Sequence, residues 1–203
     1  MTLLEAIRAG DEAAFEAALE ADPSSIRSVD EHGVPAVRWA VYAGRPDWAR
    51  RLLALGSDLD FFTACALGDS IRAGEAINAD PAILFAHSSD GWTGLHLAAF
   101  FGHEALASYL IARGADPRLR STNNMENLPI HAAAAGRRPR IVELLIKAKS
   151  PVDPRQTGGN TPLHSAAQNN DEATIRILEA AGASWDARND DGRTPRDLLH
   201  GAG

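Results

Sequence analysis

Two kinds of helical segment alternate along the chain. One kind is built from small residues: Leu97-Ala98-Ala99, Ala132-Ala133-Ala134 and Ser165-Ala166-Ala167. Alanine is the strongest helix former, and its size lets a second helix approach closely. The other kind sets larger apolar residues at helical spacing: Leu106, Leu110 and Ile111, then Ile141, Val142, Leu145 and Ile146, then Ile175 and Leu178. Polar turns at Gly102-His103, Arg137-Arg138 and Asn170-Asp171 divide the first kind from the second. Gly114-Ala115-Asp116 and Gly182-Ala183-Ser184 close the second kind, with glycine where a left-handed cap is wanted. Asp90-Gly91, Gly158-Gly159 and Asp191-Gly192 then supply tight hairpin turns before the next small-residue helix.

This alternation is one unit written repeatedly. Thr93-Gly94-Leu95-His96, Leu128-Pro129-Ile130-His131 and Thr161-Pro162-Leu163-His164 open successive small-residue helices, and Thr194-Pro195 is a last trace. The histidines stand 35 and 33 residues apart, and Asp197 follows His164 by another 33. A fixed period of this length marks stacked supersecondary units.

The pattern resembles the ankyrin-repeat family, of the bacterial type, over nearly the whole chain. That resemblance implies an all-α solenoid with short β-hairpin fingers, two antiparallel helices per unit and a curved slab as the whole. Earlier units align more loosely: Pro35-Ala36-Val37-Arg38 stands where the family has Thr-Pro-Leu-His, and Leu4–Gly10 and Phe62–Gly68 fit two more inner helices. Equivalent positions run Leu4, Arg38, Phe62, His96, His131, His164 and Asp197, with gaps of 34, 24, 34, 35, 33 and 33. One domain of about seven units follows: 1–29 as an N-terminal cap, 30–60, 61–87, 88–122, 123–155, 156–188, and 189–203 as a partial, fraying cap. The short gap predicts that unit 61–87 lacks its finger and leaves a notch. Ala21-Asp22-Pro23 and Ala79-Asp80-Pro81 end the outer helices of the first and third units alike, which suggests two related blocks joined there.

Composition narrows the class of protein. Of 203 residues, 45% are hydrophobic and 23% charged, as in a folded globular chain. No apolar run reaches the ~18–20 residues of a membrane span, and no basic region precedes an apolar stretch near Met1. With one cysteine, Cys65, no internal disulfide forms, so the expectation is a cytoplasmic protein, monomeric when alone. The net charge of −7 conceals a basic band. Residues 101–155 hold 9 bases against 5 acids, between ends with 15 acids to 7 bases and 7 to 4. That balance fits a solvated face better than a nucleic-acid surface, which is normally net basic. Arginine outnumbers lysine 18 to 2, a mark of GC-rich coding sequence.

The histidines are the first candidates for chemistry. One per unit, they should lie ~8–10 Å apart or more, too far to share a metal with ~2 Å bonds. The resemblance assigns them instead to hydrogen bonds with the Thr hydroxyl and nearby backbone, and looser or different bracing is expected wherever the motif fails, at Arg38 and Phe62. Cys65 falls in a small-residue slot and reads as buried. Trp39, Trp48 and Trp185 fall on or beside packing positions. No nucleophile–base–orienter set can be assembled, so neither enzyme activity, cofactor nor metal is expected.

Aromatic residues stand out where the scaffold does not need them. The resemblance places the two residues before each inter-helix turn on the concave side, and here they include Tyr42, Leu67, Phe100 and Phe101, with Trp92 on the preceding finger. Met125 lies on the longer finger that explains the 35-residue gap. Clustered exposed aromatics are the usual anchors of an interface. The expected function is therefore a binding module for a protein partner through Tyr42, Leu67, Trp92, Phe100, Phe101 and Met125. The alternative is a small-molecule or enzymatic site in the cleft of the absent finger, with His32, Arg38 or His87 supplying its polar groups.

Overall fold

Each inner helix ends four or five residues beyond the motif position, and several start at a residue whose side chain caps them. In the computed structural model, which describes residues 1–199, Thr2, Asp60 and Thr93 accept the N–H of the residue three further on. The chain then turns left-handed at Gly10, Gly44, Gly68, Gly102, Arg137 and Asn170. The helices so bounded pair as α1 (Leu3–Ala9) with α2 (Glu12–Ala21), α3 (Ala36–Tyr42) with α4 (Pro46–Ala54), and α5 (Phe61–Leu67) with α6 (Ser70–Ala79). The series continues as α7 (Gly94–Phe101) with α8 (Glu104–Ala112), α9 (Pro129–Ala135) with α10 (Pro139–Lys147), and α11 (Pro162–Gln168) with α12 (Glu172–Ala180). A single short helix, α13 (Pro195–Leu199), closes the described array; the remainder of the expected cap, 200–203, lies outside the described residues.

The inner helices pack in sequence order, α1 on α3, α3 on α5, α5 on α7, α7 on α9, α9 on α11 and α11 on α13. Small side chains make this approach possible: Ala40, Ala64, Ala98, Ala99, Ala133, Ala134, Ala166 and Ala167 are fully or almost fully buried. Their outer partners supply the larger apolar groups, Leu52, Ile77, Leu106, Leu110, Ile141, Leu145 and Leu178. Buried residues on both sides of Asp60 belong to one continuous core, so the array is not divided there. At two points the chain takes φ of +58° and +70° at Arg137 and Lys149, where other units use glycine.

The fingers differ from the expected β-hairpins. Each is a loop closed on itself by backbone bonds, Asp30 N–H to Val34 O, Ser88 to Trp92, Ser121 to Asn127, Gln156 to Asn160 and Asn189 to Arg193. The only strand-type pairing among the described residues is an isolated antiparallel bridge between Val29 and Pro35. Successive fingers are joined by one backbone bond each, from Thr122 to Gly91 O, Thr157 to Met125 O and Asp190 to Gly158 O. The 121–127 loop is two residues longer than the 88–92 loop, in line with the 35-residue gap.

Between α4 and α5 only residues 55–60 intervene, whereas 80–93 separate α6 from α7. A finger is thus absent before α5, but no notch follows. The 30–34 and 88–92 loops come together: a methyl group placed on Gly33 would touch Ser89 Cβ at 3.4 Å.

Candidate partner-binding surface

The histidine joints set the frame of the surface. Nε2 of His96, His131 and His164 lies 3.0, 3.0 and 3.1 Å from the carbonyls of Asn127, Pro154 and Arg193, each at or just before the finger that follows. A carbonyl only accepts, so Nε2 carries the proton and Nδ1 accepts. Its donors are the Thr93 hydroxyl, the Leu128 N–H and the Thr161 hydroxyl. Burial holds the His96 and His131 rings well below the usual histidine pKa, at about 4, and lowers that of His164 as well. All three are therefore neutral braces at physiological pH.

Arg38 occupies the same position in a unit whose successor has no finger. Its longer side chain spans the gap. It donates to Thr63 Oγ1 at 3.2 Å, to Asp90 Oδ1 at 3.1 Å and to Asp60 Oδ2. Its guanidinium lies 5.6 Å from the Phe62 ring centroid. Asp60 caps α5 and Asp90 belongs to the 88–92 finger, so one buried cation, 2% exposed, ties three units together. The expectation of different bracing at Arg38 and Phe62 describes this arrangement.

Aromatic rings extend the same closure. Tyr42 donates its hydroxyl to Asp90 Oδ2 at 2.7 Å and stacks on Phe101, with centroids 5.9 Å apart. Burial, reinforced by the Asp90 carboxylate, pushes the Tyr42 phenol far above its usual pKa. Ala66 in the intervening helix is small enough for rings from either side to meet. Phe61 and Cys65 in turn crowd α7: a methyl group on Gly94 would come within 2.7 Å of Phe61 and 2.9 Å of Cys65 Sγ. This is why glycine stands in the slot that holds Pro129 and Pro162 in the later units. Cys65 is sealed, and burial raises its thiol pKa, so it is no nucleophile.

Five of the six expected surface residues surround one open pocket of about 350 Å³: Tyr42, Trp92, Phe100, Phe101 and Met125. Phe100 and Met125 remain 44% and 46% exposed, whereas Phe101 is half-buried against Tyr42 and Trp92 leans on His96 at 5.6 Å. Leu67 is not among them. It packs against the core at the end of α5, next to the carbonyl of Ala66 that accepts from His103 Nε2 at 2.8 Å. The pocket floor comes from Leu97, Ala132 and Ala135, and one wall from Asn127, which the sequence reading did not single out.

The three polar groups expected to line a small-molecule cleft at the absent finger are placed apart among the described residues. Arg38 is consumed by its carboxylates, His32 is exposed on the 30–34 loop, and His87 Nε2 bonds Arg120 O at 2.7 Å, so the three do not converge. The basic band is largely bracing too. Arg138 donates to Phe100 O, Arg118 to Lys149 O, Arg155 to Arg188 O, and Arg120 to the carbonyls of Glu126 and Arg155. Trp48 is buried against Phe15, while Trp39 and Trp185 are half-buried, as their packing positions imply.

Paired helices, fingers and repeated histidine joints define a helical repeat solenoid. A sequence model of the family described as ankyrin repeats (three copies) matches residues 61–157 and 130–200, and the chain belongs to the ankyrin-repeat family. It is also 32% identical over 133 residues to the ankyrin repeat domain-containing protein SAT10 of Stachybotrys chartarum (strain CBS 109288 / IBT 7711). That match covers 62% of this chain but only 7% of the other protein. Ankyrin repeats are generally protein–protein interaction modules. No described helix is long and apolar enough to cross a membrane.

Proposed function

We propose that this chain is a non-enzymatic module that holds a protein partner on its concave face and fingers, centred on Trp92, Phe100 and Met125. The reading is that of a cytoplasmic protein, monomeric by itself and acting without a cofactor, whose partner is not a nucleic acid. One observation carries it. Phe100 and Met125 keep nearly half of their surface in water beside an apolar pocket, although neighbouring Phe101 is folded into scaffold contacts. Large apolar side chains grouped this way lose free energy in water unless something covers them. Tyr42 and Phe101 belong to the same patch but support it from beneath.

Affinity capture from the native cell, compared quantitatively between wild type and variants, tests the reading. Phe100→Ala should weaken capture of a specific protein by about 2 kcal/mol or more. Ile71→Ala, at a residue 76% exposed outside this pocket, should leave capture unchanged. Equal capture by wild type and Phe100→Ala, with unaltered helicity, would refute the assignment.

A further inference from the structure

Asn127 lines the pocket, and its side-chain oxygen is buried and unpaired. The residue is 4% exposed, and Oδ1 has no hydrogen-bond partner. Its backbone is fully engaged. The N–H donates to Ser121 Oγ at 3.1 Å, and the carbonyl accepts from Ser121 N–H at 2.9 Å and His96 Nε2 at 3.0 Å. In the next unit the side-chain oxygen of the equivalent Asn160 accepts from Asn189 Nδ2 at 3.0 Å, a partner that the Asn127 oxygen does not have. A buried acceptor left unpaired costs free energy comparable to a lost hydrogen bond. The scaffold does not require asparagine at this position, since Val34, Trp92 and Arg193 fill it in other units.

What surrounds Asn127 fixes the chemistry of a complement. Trp92, Phe100, Phe101, Tyr42 and Met125 offer aromatic faces and a polarisable thioether. No Asp, Glu, Lys or Arg lines the pocket, and the His96 ring is neutral and already bonded on both nitrogens. A charged group would enter without a counter-charge and lose its hydration. An aliphatic group would leave Oδ1 unpaired. A flat neutral ring with one N–H or O–H satisfies both walls and amide.

Resting on the reading that this face holds a protein, we propose that the pocket receives a tryptophan or tyrosine side chain of the partner, its ring among Trp92, Phe100 and Met125 and its N–H or O–H donated to Asn127 Oδ1. The open mouth assigns the ring to a protein. Small-molecule sites bury most of their ligand, whereas exposed Phe100 and Met125 would cover only part of one here, leaving the remainder for the partner's own surface to shield.

Titrating the full chain with N-acetyl-tryptophanamide, N-acetyl-tyrosinamide and N-acetyl-phenylalaninamide, read by NMR at the Asn127 amide and Trp92 indole resonances, tests this directly. Saturable shifts are expected for the first two probes, with affinity about tenfold above the phenylalanine probe, the size of one unpaired buried acceptor. Asn127→Leu should abolish that preference, raise the midpoint of thermal unfolding and leave helicity intact. Phe100→Ala should weaken all three probes together. Shifts absent up to the solubility limit, or a phenylalanine probe binding wild type as well as the tryptophan probe, would overturn the proposal. So would Asn127→Leu destabilising the fold, since the amide would then be structural. Free indole binding more tightly than N-acetyl-tryptophanamide would overturn the partner as source of the ring. If the probes fail while Phe100→Ala still loses capture, this inference falls and the module reading stands. If probes bind but capture ignores Phe100→Ala, the module reading falls and takes the partner's ring with it.

Discussion

The joint at Arg38 and the joints at His96, His131 and His164 solve one mechanical problem with opposite chemistry. Each links an inner helix to what lies ahead of it in the array. Where a finger follows, a short neutral ring reaches its carbonyl and is buried uncharged. Where no finger follows, the nearest acceptors are the carboxylates of Asp60 and Asp90, one on the next helix and one on a more distant loop. Only a long side chain with several donors spans both, and a guanidinium brings the charge that pairs with them. The missing finger is thereby replaced by an ion-paired clasp, and Tyr42 and Phe101 seal it. The same slot in the repeat thus holds a residue dictated by what its neighbour provides.

Acid should separate the two kinds of joint most sharply. His96 and His131 titrate near 4 in the fold and at the ordinary 6.5 when unfolded. Between those values the unfolded chain binds more protons, so stability rises with pH there and is lost as pH falls from about 6.5 towards 4. Going from pH 7 to pH 4.5 should cost about 2.5 kcal/mol for each of these rings, read as a falling urea midpoint. His131→Gln should flatten the slope, and an unchanged midpoint across this range would contradict neutral, buried rings.

Breaking the clasp is expected to have the next largest effect. Arg38→Met keeps the bulk but leaves Asp90 and Thr63 without their cation, and should destabilise by about 3 kcal/mol in denaturant unfolding. Arg38→His should not rescue it, because the ring cannot reach both carboxylates. A loss under ~1 kcal/mol would mean that the clasp adds little beyond surface pairing. A finer probe is Tyr42→Phe, which removes one donor to a charged acceptor but keeps the stack on Phe101, with an expected loss of about 1.5 kcal/mol. The smallest change lies away from both joints. Lys149→Gly relieves a left-handed residue where Gly56, Gly114 and Gly182 serve elsewhere, and should add roughly 0.5–1 kcal/mol while leaving the contrast between joints intact.

The partly covered patch shows how far pattern carries. Phe100 and Phe101 are adjacent and alike in sequence, yet one is a wall of the pocket and the other a strut against Tyr42. Leu67, in the slot equivalent to Phe101, is partly buried against the core and does not line the pocket. Asn127 carried no signal at all. Its counterpart Asn160 has the same residue type and a satisfied amide, and only the arrangement of side chains ahead of each decides which finds a partner.

From the sequence, and the family resemblance it carries, came the repeat, its register, the pairing of small inner helices with larger outer ones, the absent finger and the structural role of the histidines. These depend on periodic local choices that every unit makes for itself, so they can be counted along the chain. Tertiary structure alone decided that the gap closes instead of opening, that Arg38 clasps Asp60 and Asp90, and that one pocket forms between the 88–92 and 121–127 fingers. Those outcomes depend on contacts between units, as between Arg38 and Asp90 or Gly33 and Ser89, whose distances are set by how far neighbouring units can approach and not by any residue's own preference.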